Sequence, residues 1–367
     1  MQVDRLPHLQ RLIAESDVDA IALVPGRNIQ YLTEVQFLLL ERPFIVFVPA
    51  QGDPAIVIPA LEMQQLVETG FPGNYFAWTD ADGYTSAFQQ ASQALDLPGK
   101  RIGVEGLTMR VREANLITEH APGAAIIDAD AVLVDLRLLK SKEEIAHLRA
   151  ANAISQQALE QLLPRIKEGM TERQIARMLS QLQRDLGGEN DAFGPIVLVG
   201  QRTALPHGEP GDAVLKRGDA VLIDFGTRVH GYPSDITRTF FTGEPTDRMR
   251  KVYDTVLTAN ENARQTARPG ITGAEIDQAA TQILHDEGFG EYVKHRTGHG
   301  LGLDIHEHPN ISPENTRPLE PNMVFTIEPG LYLTGAFGVR IEDNVVTTQD
   351  GAESLTTFPR ELTVLDI

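Results

Sequence analysis

The chain has 367 residues, 42% of them hydrophobic and 23% charged, which is typical of a globular protein with room for two domains. Its 51 acidic and 32 basic residues give a formal net charge of −19, which disfavours binding to nucleic acid. Cysteine is absent, which excludes disulfides, thiolate ligands and cysteine nucleophiles, so any metal must be held by His, Asp or Glu.

The sequence gives no sign of a membrane or secretory protein. No apolar run approaches the roughly 18 residues of a transmembrane helix. The first seven residues also lack the basic segment followed by an apolar run that marks a secretory signal. We therefore expect a cytoplasmic protein that does not bind membranes.

The first third of the chain predicts an α/β domain. Its apolar patterns predict a helix over 6–15 and strands over 20–24, 43–49, 54–59 and 101–104. No glycine-rich phosphate loop follows a strand, so we assign no catalytic group to this part. The single tryptophan, Trp78, is predicted to pack in the core or to anchor an interface.

A domain boundary is predicted near residues 135–140, which divides the chain into an α/β domain over 1–137 and a second domain over 138–367. Ser141 and Glu144 have the spacing of a capping box, and the helix that they begin is expected to end near 164–169. Thr171 and Gln174 cap a further helix, which the glycine pair at 187–188 ends.

The second domain contains a weak internal repeat. Residues 168–175 correspond to residues 269–276, at an offset of 101. Each copy reads as a long helix, a glycine turn, a capped helix and then a hairpin that carries two carboxylates. The order predicts a pseudo-twofold domain with four carboxylates meeting near its axis.

The first carboxylate pair is Asp224 and Asp235, which lie within apolar, strand-like sequence. A buried aspartate in a strand requires a compensating charge. If the two residues face each other in an antiparallel hairpin, the turn is centred between Val229 and His230. Like charges directly opposite repel, and a cation between them would reverse the sign of the interaction.

The second pair is Glu328 and Glu342, which also follow strand-like runs. Their midpoint falls on Gly335, the residue type that a tight reversal prefers. The sequence therefore predicts two hairpins that each place two carboxylates face to face.

A histidine completes the ligand set. His299 lies between two glycines, which allow its imidazole to approach a buried centre closely. One imidazole and four carboxylates form an oxygen-rich set that suits two divalent cations, manganese first, with cobalt and zinc as alternatives. Two such ions lower the pKa of a shared water, so hydrolysis is the expected reaction.

Four short motifs carry a resemblance to a known family. They are the runs around Asp235 (234–239), His299 (298–300), Glu328 (327–330) and Glu342 (340–343). With these motifs the chain resembles the pita-bread metallopeptidases, which include methionine aminopeptidase, prolidase, aminopeptidase P and creatinase. The resemblance spans nearly the whole chain. It implies a creatinase-like α/β N-terminal domain and an α+β pita-bread catalytic domain with a pseudo-twofold internal repeat.

The resemblance also implies a role for each predicted metal ligand. Asp224 would bind one metal ion, Asp235 and Glu342 would bridge both, and His299 with Glu328 would complete the second site. Glu328 would also be the general base for the bridging water.

Four further residues receive roles from the same resemblance. It implies that three histidines hold the substrate and stabilise the tetrahedral intermediate, with an arginine in support: His207, His295, His306 and Arg340. For Tyr332 the sequence allows two roles, support of the site or packing in the core. Arg238 and Asp343 are predicted to be structural ion-pairing residues.

The two-domain size and the full histidine set resemble the Xaa-Pro enzymes more than methionine aminopeptidase. This implies cleavage of small peptides with proline in the second position, as dipeptides or as longer peptides, by a homodimer. The alternatives are a peptidase of broader specificity, a creatinase-like hydrolase of a non-peptide C–N bond, and a non-catalytic binding module. The complete ligand set disfavours the last two.

Overall fold

The computed structural model describes residues 5–367, which form two compact units, one that ends at Arg137 and one over Leu138–Ile367. Within the described residues, no helix combines the length and the apolar character needed to cross a membrane.

The N-terminal unit is built on one six-stranded mixed sheet in the order β4-β3-β2-β1-β5-β6. The strands are β1 (Ala20–Leu23), β2 (Ile45–Pro49), β3 (Ala55–Pro59), β4 (Asn74–Trp78), β5 (Arg101–Val104) and β6 (Ala125–Asp128). The helices are α1 (Arg5–Ala14), α2 (Arg27–Thr33), α3 (Ala60–Val67), α4 (Thr85–Ala94), α5 (Val111–His120) and α6 (Asp130–Arg137). Strand β2 runs antiparallel to β1 and β3, and the other pairs are parallel.

The helix and strands predicted in this unit are confirmed to within about two residues, the usual uncertainty of element ends. Strand β1 is buried throughout, as its run of apolar residues requires. Trp78 is a packing residue, because it is only 7% exposed and its Nε1 donates a hydrogen bond to the Pro43 carbonyl at 3.1 Å.

The C-terminal unit has four long helices. They are α7 (Lys142–Leu162), α8 (Glu172–Asp185), α9 (Asp247–Thr266) and α10 (Gly273–Asp286). Short 3₁₀ helices cover Leu163–Arg165, Gly200–Ala204 and Gly290–Tyr292. Both predicted capping boxes are confirmed, with Ser141 and Thr171 accepting from the third helical N–H of α7 and α8.

The internal repeat is visible in the backbone. Helices α7 and α9 have 21 and 20 residues, and α8 and α10 have 14 each. Thr171 and Thr272 both form capping boxes, and Gly169 and Gly270 have φ values of 87° and 86°. The two halves therefore share element lengths, caps and turn geometry, as predicted.

The strands of this unit form two larger sheets, β11-β8-β7 and β13-β12-β14-β17-β18, and two short ribbons. Those before the second half are β7 (Ile196–Val199), β8 (Ala220–Phe225), β9 (Arg228–Val229), β10 (Tyr232–Pro233) and β11 (Ile236–Phe241). Those of the second half are β12 (Gly298–Gly300), β13 (Glu307–Ile311), β14 (Val324–Ile327), β15 (Gly330–Leu333), β16 (Phe337–Arg340), β17 (Asp343–Thr347) and β18 (Ala352–Ser354).

The predicted register of the first hairpin is wrong by two residues. Asp224 pairs with Thr237 rather than with Asp235. The turn lies at His230 and Gly231, whose φ values of 49° and 78° are those of a two-residue hairpin turn. Because side chains alternate along a strand, the shift of two leaves both aspartates on one face as diagonal neighbours.

The predicted register of the second hairpin is confirmed. Gly330 pairs with Arg340 in the β15–β16 ribbon, whose turn contains Gly335 at a φ of 77°. Ladder β14–β17 continues the same register on the other side of a short gap. Glu328 and Glu342 lie opposite each other in that gap.

Candidate active site

A cavity of about 450 Å³ in the C-terminal unit is lined by every residue that the sequence predicts as a metal ligand or catalytic group. These are Asp224, Asp235, His299, Glu328 and Glu342 as predicted ligands, with His207, His295, His306 and Arg340. Four further residues line it: Phe193, Ile196, Arg296 and Ile305.

The predicted ligands converge on one point. Asp235, His299 and Glu342 each offer a ligand atom, and these three atoms lie within 4.8 Å of one another. The Nε2 atom of His299 is 3.6 Å from an Asp235 oxygen and 3.3 Å from a Glu328 oxygen. The strands of the two hairpins thus bring together carboxylates that are about 100 residues apart in the chain.

Short hydrogen bonds fix the backbone around these carboxylates. Asp235 donates its N–H to the Asn344 side chain, and Asn344 returns a bond to the Asp235 carbonyl at 2.6 Å. The Thr237 hydroxyl donates to Glu342 at 2.6 Å. Glu328 donates its N–H to the Thr297 carbonyl at 2.7 Å. The backbone at Asp235 and Glu328 and the carboxylate of Glu342 are therefore each held by a neighbouring segment of the chain.

The glycines beside His299 are required by close backbone approach. A Cβ at Gly298 would lie 2.0 Å from the Thr326 carbonyl oxygen, and one at Gly300 would lie 2.2 Å from the His308 carbonyl oxygen. His299 itself donates its N–H to the Thr326 hydroxyl. The residues that flank the imidazole thus allow strand β12 to enter the sheet.

The electrostatics of the site fit a divalent cation. Burial, followed by the charge of Glu342, raises the pKa of Asp235 well above its usual range. Burial, followed by the charge of Glu328, does the same for Glu342. Burial lowers the pKa of His299 to about 3, which keeps its imidazole neutral and able to bind a metal. The Asp224 Oδ1 atom is buried and has no hydrogen-bond partner among residues 5–367.

Two features of this cluster are unfavourable, namely the repulsion among the buried carboxylates and the Asp224 Oδ1 atom, which has no partner among the described residues. A cation placed among these groups would compensate the carboxylates and would give Asp224 Oδ1 a partner. The donor set of carboxylate oxygens and one imidazole nitrogen is that of a hard or borderline divalent metal. The residues present therefore fit the metal that the sequence predicts.

Arg340 is buried next to the predicted ligands and donates hydrogen bonds to several residues of the site. It is 2% exposed, and its guanidinium donates to Asp224 at 2.5 Å, to the Tyr332 hydroxyl at 2.6 Å and to the Thr237 hydroxyl at 3.1 Å. It thus fixes one carboxylate oxygen of Asp224 and directs the other oxygen away from the arginine.

Tyr332 links Arg340 to His295. Its hydroxyl accepts from Arg340 and lies 2.7 Å from the His295 Nε2 atom, so its own proton is directed to that nitrogen. Burial, followed by the charge of Arg340, lowers the pKa of His295 to about 4, so the ring is neutral and its Nδ1 donates to the Arg296 carbonyl. The sequence left Tyr332 open between support of the site and packing, and these bonds place it in the site.

The structure also shows where the remaining predicted residues lie. His306 packs against His299 with ring centroids 4.1 Å apart, and His207 faces the same cavity. Arg238 and Asp343, both predicted to take part in structural ion pairs, pair with each other at 2.8 Å in a buried position.

Several residues of the site went unrecognised in the sequence. Thr237 lies inside the motif around Asp235, and this position is the only sign in the sequence that it belongs to the site. Phe193, Ile196 and Ile305 form apolar walls of the cavity, but they resemble ordinary core residues in sequence. Arg296 follows His295 directly, and nothing else in the sequence marks it.

Comparison with known proteins agrees with this geometry. Residues 146–349 match Metallopeptidase family M24, and residues 5–139 match the Creatinase/Prolidase N-terminal domain. Among solved structures, the chain is similar to a dipeptidase from Pyrococcus horikoshii, with 36% identity, a TM-score of 0.93 and coverage of 98% of this chain and all of that one.

Two further solved structures are those of enzymes that act on Xaa-Pro substrates. One is an Xaa-Pro dipeptidase from Bacillus anthracis, with 31% identity, a TM-score of 0.90 and coverage of 98% and 99% of the two chains. The other is an X-Pro aminopeptidase from Thermotoga maritima, with 33% identity, a TM-score of 0.86 and coverage of 99% and 100%. The family match over more than half of the chain and these whole-length similarities establish that the protein belongs to metallopeptidase family M24.

Proposed function

We propose that the protein is a dinuclear metallopeptidase that hydrolyses the bond between an N-terminal residue and a following proline. The observation that carries the proposal is the convergence of five potential ligands on one cavity wall, with three ligand atoms within 4.8 Å of one another. The similarity to the solved structures of an Xaa-Pro dipeptidase and an X-Pro aminopeptidase supports the proposed proline specificity.

Asp224, Asp235, His299, Glu328 and Glu342 would hold two divalent cations, with manganese as the first candidate. Such ions, when bound, polarise the scissile carbonyl and lower the pKa of a shared water. Asp235 and Glu342 would each hold metal together with the ligands of the other hairpin, because each is buried close to those ligands.

Glu328 is the proposed general base. Its side chain is 15% exposed, against 11% for Asp224 and 6% for Asp235, so it is the most open to the cavity of these three carboxylates. Its Oε1 atom already accepts from the Thr326 hydroxyl, which orients the carboxylate. It would take a proton from the attacking water and deliver it to the leaving nitrogen.

His306 and His207 are proposed to contact the substrate carbonyl, where hydrogen-bond donors stabilise a developing oxyanion. The apolar side chains of Phe193, Ile196 and Ile305 would receive the pyrrolidine ring. A proline at this position brings no N–H group, so an apolar wall leaves none of its backbone donors unpaired.

The proposal is tested with Ala-Pro, Ala-Pro-Ala and Ala-Ala-Ala, each incubated with manganese-loaded enzyme and with a chelator-treated control. We expect cleavage of at least one proline peptide, little cleavage of Ala-Ala-Ala, and loss of activity with chelator. Cleavage of Ala-Ala-Ala alone would contradict the proline specificity, and no cleavage of any peptide would contradict the proposal.

The predicted ligands are tested by Asp235→Asn. We expect kcat/KM to fall by more than about 100-fold, beyond the loss typical of removing an outer partner of a metal site, and manganese content to fall below that of the parent. Asp212→Asn is the matched control, because Asp212 is 86% exposed and lies outside the cavity. Parent-like metal content and activity in Asp235→Asn would reject the proposed ligand set.

Three other features stay predictions, namely a homodimer, a cytoplasmic location and a domain boundary between residues 137 and 138. Sedimentation of the manganese-loaded protein would test the first, and limited proteolysis would test the last.

A further inference from the structure

Two segments of the C-terminal unit supply the apolar wall of the cavity. One covers residues 191–196 and contributes Phe193 and Ile196, and the other is the loop over 301–306, which contributes Ile305. The two segments are far apart in the chain, so the distance between them is not set by the covalent backbone. It depends on the contacts that join them.

Arg228 joins the two segments from behind the cavity wall. It is 8% exposed and does not line the cavity. Its Nη2 atom donates to the Ala192 carbonyl at 3.2 Å, and its Nη1 atom donates to the Leu303 carbonyl at 3.0 Å. Nη1 also donates to the Gly231 carbonyl at 2.6 Å, which anchors the guanidinium in its own hairpin. Because a guanidinium is planar and rigid, it holds the carbonyls of the two segments at a fixed separation.

The two segments differ in their other support. The first is already part of the sheet region, because the Ala192 N–H donates to the Gly226 carbonyl at 2.9 Å. In the loop, the Gly302 N–H donates to the Asp304 carbonyl at 3.1 Å and the Asp304 N–H donates to the Glu307 carboxylate at 3.4 Å. These two bonds are local and shape the loop without joining it to the first segment. The guanidinium thus ties a loop to a segment that is itself fixed.

We propose that Arg228 is a positioning residue that sets the width of the apolar pocket and thereby its selectivity for the five-membered ring of proline. The inference rests on the proposed function and names a residue that determines its specificity. Ala192 directly precedes Phe193, and Leu303 lies two residues before Ile305. A tie between the two carbonyls therefore limits how far the two apolar side chains can move apart. A pocket held at one width accepts a ring of matching size and resists one with an extra methylene.

The direction of the effect follows from the buried carbonyls. In Arg228→Met, the carbonyls of Ala192 and Leu303 lose a donor, and leaving them unpaired in a buried position is costly. Water can replace the donor only if the segments part far enough to admit it. The pocket of the variant is therefore wider than that of the parent, and the larger ring fits it better.

The first test compares Ala-Pro with alanyl-pipecolic acid, whose six-membered ring has one more methylene and the same terminal carboxylate. In the manganese-loaded parent we expect kcat/KM to favour Ala-Pro by about 10- to 100-fold, the discrimination that one methylene gives in a fitted pocket. In Arg228→Met the preference falls to within about threefold, through a higher KM for Ala-Pro, with parent-like manganese content. Arg228→Lys retains the charge with one donor nitrogen in place of two, so it keeps only part of the preference. This second variant carries the test if Arg228→Met does not fold.

Tyr253→Phe is the matched control. It also removes a buried donor from a backbone carbonyl, because Tyr253 is 1% exposed and its hydroxyl donates to the Arg360 carbonyl at 2.6 Å. Tyr253 does not line the cavity, so we expect the parent preference for Ala-Pro in this variant. The inference is overturned if a folded Arg228 variant keeps the full preference, if it loses activity equally on both substrates, or if Tyr253→Phe has the same effect.

A binding measurement separates this inference from the proposed function. The ligands are analogues of the two dipeptides with a methylene in place of the scissile carbonyl, which no peptidase can cleave. Calorimetry on the manganese-loaded protein should show a preference for the five-membered ring that Arg228→Met removes. If peptides are not cleaved but this preference is present, the proposed function fails and the role of Arg228 stands. Equal affinity of the parent for both analogues overturns the role of Arg228.

Discussion

At the scale of single residues, the sequence revealed those groups whose chemistry conflicts with their surroundings. Asp224 and Asp235 stand among Val, Leu, Ile and Phe, where an unpaired carboxylate would be costly, and a metal was the simplest compensation. Tyr332 could not be recognised with the same certainty, because a tyrosine within Gly330–Leu333 is as compatible with an apolar core as with a site. Its role depends on two hydrogen bonds that only the folded chain brings together.

The bonds of Tyr332 predict the effect of Tyr332→Phe. The change deprives Arg340 of an acceptor and His295 Nε2 of a donor in a buried site, which should cost about 1–3 kcal/mol of stability. We expect kcat/KM to fall about tenfold, because His295 loses the bond that orients its ring. Denaturant unfolding and steady-state kinetics measure the two effects.

Tyr292→Phe serves as the control, because Tyr292 is outside the cavity and its hydroxyl has no bond to the site. Parent-like activity in Tyr332→Phe would contradict the proposed link between Arg340 and His295.

At the scale of elements, the sequence predicted which strands meet but not always in which register. The predicted register of the second hairpin is correct because Gly335 marks its turn. The predicted register of the first hairpin is wrong because it places Asp224 and Asp235 directly opposite each other. The left-handed residues His230 and Gly231 fix the turn one residue further along the chain. A two-residue turn with a histidine in place of the usual asparagine gives a weak signal in sequence.

The long helices carry a feature that the pattern of apolar residues could not predict. Asn260 on α9 is fully buried, and its Nδ2 atom donates to the carbonyls of Ile327 and Ile341 at 3.1 Å each. These residues directly precede Glu328 and Glu342. In the other half, Ser155 of α7, 105 residues earlier, lies 2.8 Å from the Ser234 hydroxyl, which directly precedes Asp235. Each long helix thus contacts residues that directly precede proposed ligands, through backbone carbonyls in the case of Asn260 and through a side-chain hydroxyl in the case of Ser155.

We therefore expect Asn260→Leu to weaken metal binding. Without the shared donor, the two glutamates lose their common anchor, and the Kd for manganese should rise by about 10- to 100-fold, as when an outer partner of a metal ligand is removed. Calorimetric titration of the metal-free protein measures this directly.

Asn262→Leu is the matched control for this prediction. Asn262 lies on the same helix, but its Nδ2 atom donates to the Ala279 carbonyl of α10 and not to the glutamate strands. A general loss of helix packing would affect both variants alike. Equal manganese affinity in the two variants would show that Asn260 has no special role in positioning the glutamates.

At the scale of the whole molecule, the division of chemistry between the two units was predictable from the sequence. The carboxylate motifs all fall after residue 220, and no catalytic constellation precedes the predicted boundary. The N-terminal unit nevertheless contains one buried acid that the sequence did not single out. Glu105 is 3% exposed, and its oxygens accept from the Val24 N–H at 2.7 Å and from the Asn28 side chain at 2.9 Å.

Burial raises the pKa of Glu105 from 4.5 to about 7 despite these two bonds. Between these values the folded chain holds a proton that the unfolded chain has released. Stability therefore falls as the pH rises from 4.5 to about 7, by about 3 kcal/mol, and is constant with respect to this group above pH 7. The stabilising contribution is complete only below the unfolded pKa.

Glu105→Gln should abolish this dependence. The Asn28 Oδ1 atom has no partner among the described residues, so rotation of the Asn28 amide would let it accept from the new Gln side chain, which would preserve the buried pairing. Relative to the parent, the variant should gain about 3 kcal/mol of stability between pH 4.5 and pH 8. Denaturant unfolding of both proteins in chelator, at several pH values, cancels the ionisation of the metal site, which they share. Parallel pH profiles would mean that Glu105 is already charged in the folded chain at neutral pH, held by its two donors more strongly than burial opposes it.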